Sequence, residues 1–183
     1  TDVAFQLHPW LLHVAGEIRH GHFPLWNPSV FTGAPLFANP NSGVLFPLNA
    51  LAYLLPIGLA LALGAALKLL TAGLGMYWLL RLLAVGPLGA LTGAAAFMLN
   101  GALVAWLQYP VGSAIAFLPL LLALSEWLRQ RPGGGPVVAL ACAVALDVFA
   151  GYPPIALLGA LAAGLWALVR ARGAPGGPRV LLR

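Results

Sequence analysis

The chain has 183 residues, of which 61% are hydrophobic and only 7% are charged. A soluble globular domain carries roughly 25% charged residues, so this composition excludes an ordinary soluble domain and indicates a protein embedded in lipid. The formal net charge is +5, but the basic residues are too few and too scattered for a nucleic-acid-binding surface. The single cysteine, Cys142, lies in an apolar run, so there is no disulfide framework and no cysteine-based metal site.

The first predicted element is a helix from Pro9 to His20, within an N-terminal loop region that we place at residues 1–50. Pro9 suits the first helical position, and Gly21 suits the left-handed residue that ends a helix. One stripe of the helix is apolar, which is typical of a helix lying along a membrane interface. The stripe consists of Trp10, Leu11, Val14 and Ile18.

A second face of this helix carries His13, Glu17 and His20. Imidazole and carboxylate groups at i, i+4 and i+7 can converge on one divalent cation, so a metal-binding face is one interpretation. The other is a polar face toward water, in which a His–Glu hydrogen bond supports the helix. We favour the polar face and predict no metal ligands, although a divalent metal cofactor stays possible.

Residues 24–49 form a long apolar segment that cannot be one helix, because its prolines fix φ and remove backbone donors. The prolines are Pro24, Pro28, Pro35, Pro40 and Pro47. Amide side chains interrupt the segment, and amides suit turns or hydrogen bonds to a polar ligand. These are Asn27, Asn39, Asn41 and Asn49. Trp26 belongs either to an interfacial aromatic belt or to a surface that stacks on a sugar ring.

Residues 51–183 are predicted to form the transmembrane bundle. A span needs about 17–25 apolar residues to cross the roughly 30 Å hydrocarbon layer. Such runs occur at about 56–80, 88–107, 111–128, 136–151 and 154–169. The breaks between them are short, so neighbouring spans should be antiparallel. The fold class is therefore all-α, a polytopic bundle of about five spans preceded by an outer-face loop region with an interfacial helix.

The basic residues predict the orientation of the bundle. The arginines fall at alternating span ends, and the opposite breaks contain no basic residue. They are Arg81, then Arg129 and Arg131, then Arg170, Arg172, Arg179 and Arg183. By the positive-inside rule the arginine-bearing ends are cytoplasmic. Residues 1–50 are then extracytoplasmic. The first and last residues, which begin and end in mid-pattern, indicate an internal fragment of a longer membrane protein.

Two charged residues are candidates for chemistry. Asp2 lies at the start of the loop region, near the outer end of what would be a preceding span. A carboxylate there can act as a general base or ligate a metal; the alternative is an exposed, solvated group. Lys68 lies near the middle of the first span, where a charge costs a few kcal/mol. Lys68 could pair with Asp147 inside the bundle, hold a phosphate of a lipid carrier, or extend to the membrane edge.

Three segments carry a resemblance to a known family. They are Asp2-x-x-x-Gln6, then Gly21-His22-Phe23-Pro24-Leu25-Trp26-Asn27-Pro28, then Gly33-Ala34-Pro35-Leu36-Phe37-Ala38-Asn39-Pro40 running on to Phe46-Pro47-Leu48-Asn49. Together they resemble the YfhO family of bacterial polytopic membrane proteins, within the GT-C glycosyltransferase superfamily. The later segments Gly73-Leu74-Gly75-Met76-Tyr77 and Gly151-Tyr152-Pro153 are also similar to that family.

The resemblance implies an enzyme of the bacterial cell membrane that uses a polyprenyl-phosphate-linked sugar as donor. It transfers the sugar to a cell-envelope polymer or lipid on the outer face. In the family, the essential acid lies just after the first span of the whole protein, a span that this fragment lacks. Asp2 occupies that place and is the predicted catalytic base. Trp26, Asn27, Asn39, Asn41 and Lys68 are the predicted substrate-binding residues. Asp2 has no acidic neighbour to pair with, so the family pattern leaves metal dependence open.

A non-catalytic membrane protein, either a lipid or polymer transporter or an assembly scaffold, is the alternative. Transporters typically contain discontinuous helices and buried charges near the midplane. In this sequence only Lys68 lies that deep, and Pro119 is the clearest helix breaker inside a span. The pattern therefore favours the enzyme.

Overall fold

A computed structural model describes residues 3–30 and 32–172. Within these residues, four helical segments are long and apolar enough to cross a membrane, and a further apolar helix is shorter. The protein is therefore an all-α polytopic helical bundle, which confirms the predicted fold class.

The N-terminal region is largely irregular, as its prolines predict. A π-helical turn, Val3–Leu7, leads into helix α1, His8–Arg19. Two short strands, β1 (Trp26–Asn27) and β2 (Ala34–Pro35), pair antiparallel, with Trp26 opposite Pro35. A 3₁₀ turn, Pro40–Ser42, and the short helix α2, Leu51–Leu54, complete the region.

In the part of the chain that the structure describes, six helices follow α2 and form the bundle. They are α3 (Ile57–Leu82), α4 (Pro87–Met98), α5 (Gly101–Ala105), α6 (Pro110–Gln130), α7 (Gly134–Phe149) and α8 (Pro153–Arg172). Helix α7 has 16 residues, a length of about 24 Å, so it is shorter than the roughly 30 Å hydrocarbon layer.

The span predicted at 88–107 is interrupted, and the span with an internal proline is not. Helices α4 and α5 are separated at Leu99 and Asn100. Asn100 starts α5 because its side-chain oxygen accepts a hydrogen bond from Leu103 N at 2.9 Å. Pro119, by contrast, lies within an unbroken α6. The capping asparagine, and not the proline, therefore marks the discontinuity in the bundle.

Helix α6 lies at the centre of the bundle. In its membrane window 61% of the residues are buried, compared with 17–22% in the other three candidate spans. Helix α3 approaches α6 closely at Gly75, where an added Cβ would lie 2.8 Å from the backbone nitrogen of Leu120. Small residues at such crossings allow membrane helices to pack through their backbones.

The bundle has two chemically different ends. At one end the loop region covers the helices: Phe46 packs with Phe117 and Ala150, and Gly151 lies against the Pro40 carbonyl. We call this the loop end, formed by residues 3–30 and 32–55 with the connections 106–109 and 150–152. We call the opposite end, which carries Arg81, Arg129 and Arg170, the arginine end; Arg179 and Arg183 lie outside the described residues.

Helix α1 packs onto the rest of the loop region. Val14 is fully buried and forms a cluster with Leu36 and Val44, against which Trp10 and Ile18 also pack. Most of the apolar stripe predicted from the sequence is therefore covered by protein.

Arg19 ties α1 to α2. Its guanidinium donates hydrogen bonds to the carbonyl oxygens of Tyr53, Ala52 and Leu55 at 2.9–3.0 Å. These carbonyls lie at the C-terminal end of α2, where a helix leaves its last acceptors without internal partners. Arg19 therefore links the two helices.

Candidate functional site at the loop end

A cavity of about 70 Å³ lies where the loop region meets α3 and the start of α6. Small residues of α3 make room for it, including Ala60, Gly64 and Ala65. Its polar lining includes His8, Asn41, Ser42, Asn49, Lys68 and Gln108. The structure therefore joins the N-terminal segment, the proline-rich loop and the membrane helices around one small polar space.

Lys68 enters this cavity from within α3. It is the twelfth residue of the helix, roughly 17 Å from its first residue along the axis. Side chains of a helix tilt toward its N-terminus, and the N-terminus of α3 is at the loop end. Lys68 Nζ accordingly donates a hydrogen bond to Leu107 O, at 3.0 Å, in the connection before α6.

The Lys68 ammonium retains capacity to bind a ligand. It has three N–H donors, and Leu107 O accepts the one hydrogen bond that Nζ makes within residues 3–30 and 32–172. A charge in so apolar a setting is costly without a partner. An anion entering the cavity would supply that partner.

The ion pair between Lys68 and Asp147, which the sequence left open, is not formed. Asp147 is 1% exposed, and neither carboxylate oxygen accepts a hydrogen bond from the described residues. An added Cβ on Gly159 of α8 would lie 3.5 Å from Asp147 Oδ2, so the carboxyl group lies at the α7–α8 interface.

Asn41 is the second predicted site residue that lines the cavity. Its backbone nitrogen donates to Asn39 Oδ1 at 3.1 Å, and Ser42 Oγ donates to Asn39 O at 2.7 Å. Asn39 therefore stabilises the 3₁₀ turn, and Asn41 and Ser42 of that turn line the cavity. Asn49 supports the same turn through a 3.0 Å hydrogen bond from Nδ2 to Gly43 O.

Trp26 and Asn27 lie elsewhere in the loop region and do not line the cavity. The Trp26 side chain covers Gly33, whose left-handed backbone (φ +101°) and lack of a Cβ allow the indole to lie directly on it. Asn27 is 5% exposed, and its Oδ1 accepts a hydrogen bond from Ser29 N at 2.9 Å. Both residues organise the β1–β2 turn in this structure.

Asp2, the predicted catalytic base, lies outside the described residues. Val3, which directly follows it in the sequence, lines the cavity, as does Leu7. His8 also lines it, and the buried Nε2 of His8 has no hydrogen-bond partner in the described ranges. His8 is a polar residue of the cavity that the sequence did not single out as a site residue.

His13 of α1 and His20, which directly follows the helix, each have a separate neighbour. His13 Nε2 lies 3.2 Å from Trp26 O, and His20 Nδ1 lies 2.8 Å from Gly16 O. Glu17 lies 3.6 Å from His22 instead of meeting His13 or His20. Among residues 3–30 and 32–172, no group of three or more His, Cys, Asp or Glu side chains is placed to hold a metal ion.

Tyr53 of α2 packs against the cluster of Val14, Leu36 and Val44. Its hydroxyl donates a 2.8 Å hydrogen bond to Val44 O. Burial raises the pKa of Tyr53 to about 12, since desolvation disfavours the phenolate. The phenol is therefore a neutral brace between α2 and the loop.

At the arginine end, the structure reveals a polar cluster that the sequence did not indicate. Glu126 of α6 is fully buried and accepts hydrogen bonds from four side chains: Arg129, Gln130, Trp166 and Arg170. Gln130 also donates to Leu82 O of α3 at 2.8 Å. In the sequence, Glu126 lies three residues before Arg129, a spacing that allows contact on one helical face. That spacing could have indicated the pair.

The loop end thus contains an incompletely paired ammonium group, together with amide and hydroxyl groups, around a small cavity between the loop and the membrane helices. Such a site has the charge and the hydrogen-bond donors to bind a small anionic group. No family model, curated protein sequence or solved structure matches this chain.

Proposed function

We propose that this protein is a membrane glycosyltransferase that takes a sugar from a polyprenyl-phosphate-linked donor and transfers it to a cell-envelope polymer or lipid. The observation that carries the proposal is the position of Lys68, whose ammonium lines a cavity between the membrane helices and the loop region. The Lys68 side chain extends from the membrane helix to the connection at the loop end, and a compact ammonium is a common phosphate ligand.

Each predicted site residue has a defined part in the proposal. Lys68 binds the phosphate of the donor, and Asn41 donates to or accepts from sugar hydroxyls above it. Asn39 holds the turn that presents Asn41, while Trp26 and Asn27 maintain the neighbouring β1–β2 turn. The resemblance to the YfhO family assigns the base to Asp2.

The reaction would proceed by displacement at the anomeric carbon. The Asp2 carboxylate accepts the proton of the acceptor hydroxyl as its oxygen forms a bond to the anomeric carbon. The bond from that carbon to the phosphate oxygen breaks, and polyprenyl phosphate leaves with an additional negative charge. Lys68 stabilises this developing charge, which is the kind of interaction that contributes most to catalysis.

The proposal places the protein in a bacterial cell membrane, with residues 1–50 extracytoplasmic and the arginine end in the cytoplasm. The basic residues support this orientation, since the described residues of the connections 106–109 and 150–152 include no arginine or lysine. Polyprenyl-linked sugars and envelope polymers would then meet the cavity from the outer leaflet.

The test is sugar transfer from a labelled polyprenyl-phosphate sugar by the full protein in proteoliposomes. Asp2→Asn should lower turnover by at least about 100-fold and leave donor binding intact. Lys68→Met should weaken donor binding, and Lys68→Arg, which keeps the charge, should retain most of it. Undiminished turnover in Asp2→Asn would overturn the catalytic assignment.

One observation favours the alternative, a lipid or polymer transporter. The break between α4 and α5 at Leu99 and Asn100 makes a discontinuous helix, a feature common in transporters. If proteoliposomes move the intact lipid-linked sugar between leaflets without transferring the sugar, and Asn100→Leu abolishes that movement, the transporter replaces the enzyme.

A further inference from the structure

A second, larger cavity opens at the arginine end, far from the proposed sugar site. It has a volume of about 760 Å³ and lies between α6, α7 and α8. This volume is within the range of roughly 300–1,000 Å³ that small-molecule pockets have. Its walls are mostly small or apolar residues, among them Val137, Leu140, Val144, Ala160, Gly164 and Ala167.

The length of this groove matches one leaflet of a membrane. Its lining residues on α8 extend from Ala160 to Ala171, a distance of about 16 Å along the helix axis. That is about half of the roughly 30 Å hydrocarbon layer. A transmembrane helix from a partner would need a groove of the full thickness, so the dimensions favour an acyl chain.

The mouth of the groove is basic. Arg129 lines it and is partly accessible, with 24% of its side chain exposed. In the described chain, this end carries one acidic residue, Glu126, and five arginines. The arginines are Arg81, Arg129, Arg131, Arg170 and Arg172. Glu126 therefore leaves an excess of positive charge at the level where a lipid headgroup lies.

We propose that the groove between α7 and α8 binds an anionic phospholipid, with an acyl chain along the apolar walls and the phosphate at Arg129. Arg129 uses Nε and Nη2 to bind Glu126 and can donate from Nη1 to a phosphate oxygen. Basic pockets between membrane helices bind anionic headgroups by this combination of charge and hydrophobic fit. The inference holds whichever function the loop end has.

The experiment uses the full protein in phosphatidylcholine vesicles that contain a phosphatidylglycerol with a photoreactive diazirine in one acyl chain. Cross-links mapped by mass spectrometry should fall on Val137, Val144, Ala160 and Gly164. Unlabelled phosphatidylglycerol should compete better than phosphatidylcholine. Equal competition by the two lipids, or cross-links distributed evenly over the lipid-facing helices, would overturn the proposal.

Two substitutions make the test specific to the groove. Gly164→Leu should abolish the cross-links by filling the groove, and its Cβ meets no atom within 4 Å, so the fold should tolerate it. Gly58→Leu on α3 is the matched control, because its added Cβ also meets nothing within 4 Å. Unchanged labelling in Gly164→Leu would place the lipid elsewhere and refute the site.

The charge is tested separately. Arg129→Gln should reduce the preference for phosphatidylglycerol by roughly five-fold, whereas Arg129→Lys should keep it. Arg81→Gln removes a positive charge from the same end outside the groove and should have a smaller effect. Equal effects of Arg129→Gln and Arg81→Gln would show a general surface attraction and no bound lipid. Cross-links between two copies of the chain at these residues would show that a second copy fills the groove.

Discussion

The two ends of the bundle differ in how completely their polar side chains are hydrogen-bonded. At the arginine end Glu126 is fully buried, but four side chains donate hydrogen bonds to it. At the loop end Lys68 has one backbone partner, and His8 Nε2 has none within the described ranges. A saturated polar cluster holds helices together, whereas an unsaturated one beside a cavity is prepared for a ligand.

This difference separates charge that stabilises from charge that binds. The Glu126 cluster joins α6 to α8, and through Gln130 it reaches the end of α3. Lys68 is near the connection 106–109 but pairs with no acidic side chain in the described part of the chain. We therefore expect substitution of Glu126 to change stability and substitution of Lys68 to change ligand binding at the loop end.

The largest effect should come from Glu126→Ala. It leaves Arg129 and Arg170 without their shared acceptor, and each hydrogen bond to a charged group contributes about 1.5–3 kcal/mol. Steric trapping in mixed micelles measures the decrease in the free energy of unfolding. Arg81→Ala is the control, because its guanidinium bonds only to Val85 O among the described residues. A change in Glu126→Ala no greater than in Arg81→Ala would mean that the cluster does not stabilise the bundle.

The next effect concerns the α3–α6 contact that both ends share. Gly75→Ala places a Cβ 2.8 Å from Leu120 N, a backbone atom that cannot move aside easily. Overpacking of this kind costs about 1–3 kcal/mol. Gly58→Ala, in open space on the same helix, should change the free energy of unfolding by no more than about 0.5 kcal/mol. Similar values for both would show that α3 and α6 can shift apart at no cost.

Helix positions were predictable from the sequence, because hydropathy and proline placement report on local structure. The predicted spans at 111–128 and 154–169 correspond to α6 and α8 with small differences at the ends. The break at Asn100 was not predicted, since an asparagine in an apolar run can either cap a helix or face a neighbour. Only the local hydrogen bonds decide between these.

The candidate site was predictable only in part. Lys68 and Asn41 were identified because a charge in a span and an amide in an apolar loop are conspicuous, and both line the cavity. Asn27 and Asn39 looked equivalent to Asn41 in the sequence, yet their oxygens accept backbone hydrogen bonds within turns. Glu126 was missed because its partners Trp166 and Arg170 are some forty residues away in the chain.

A smaller effect is expected at Tyr53, which tests how firmly α2 braces the loop end. Tyr53→Phe removes the hydrogen bond to Val44 O and should cost about 1 kcal/mol. The pKa of Tyr53 is raised to about 12, above the usual value near 10. The wild-type protein should therefore lose stability as the pH rises from about 10 to 12, because the unfolded state ionises first.

Tyr53→Phe should weaken this alkaline loss, and an absorbance titration of the variant should lack the component that ionises near pH 12. Tyr152→Phe is the control and should leave that component in place. If Tyr53→Phe does not change the absorbance titration near pH 12, the phenol is open to water and does not brace the loop.

The smallest effect on stability should come from Lys68→Met, which is where the two ends differ most. The substitution removes one hydrogen bond to Leu107 O, but it also replaces a charge in an apolar setting with a side chain of similar length. Replacing buried charges by apolar residues is often neutral or stabilising, so the free energy of unfolding should change by less than about 1 kcal/mol.

Binding of a polyprenyl-phosphate sugar should nevertheless fall by at least about tenfold, since a hydrogen bond to a charged group contributes about 1.5–3 kcal/mol. Isothermal titration in detergent measures the binding, and steric trapping measures the stability of the same sample. A destabilisation as large as that of Glu126→Ala, with binding retained, would make Lys68 a structural residue, and the contrast between the two ends would then be wrong.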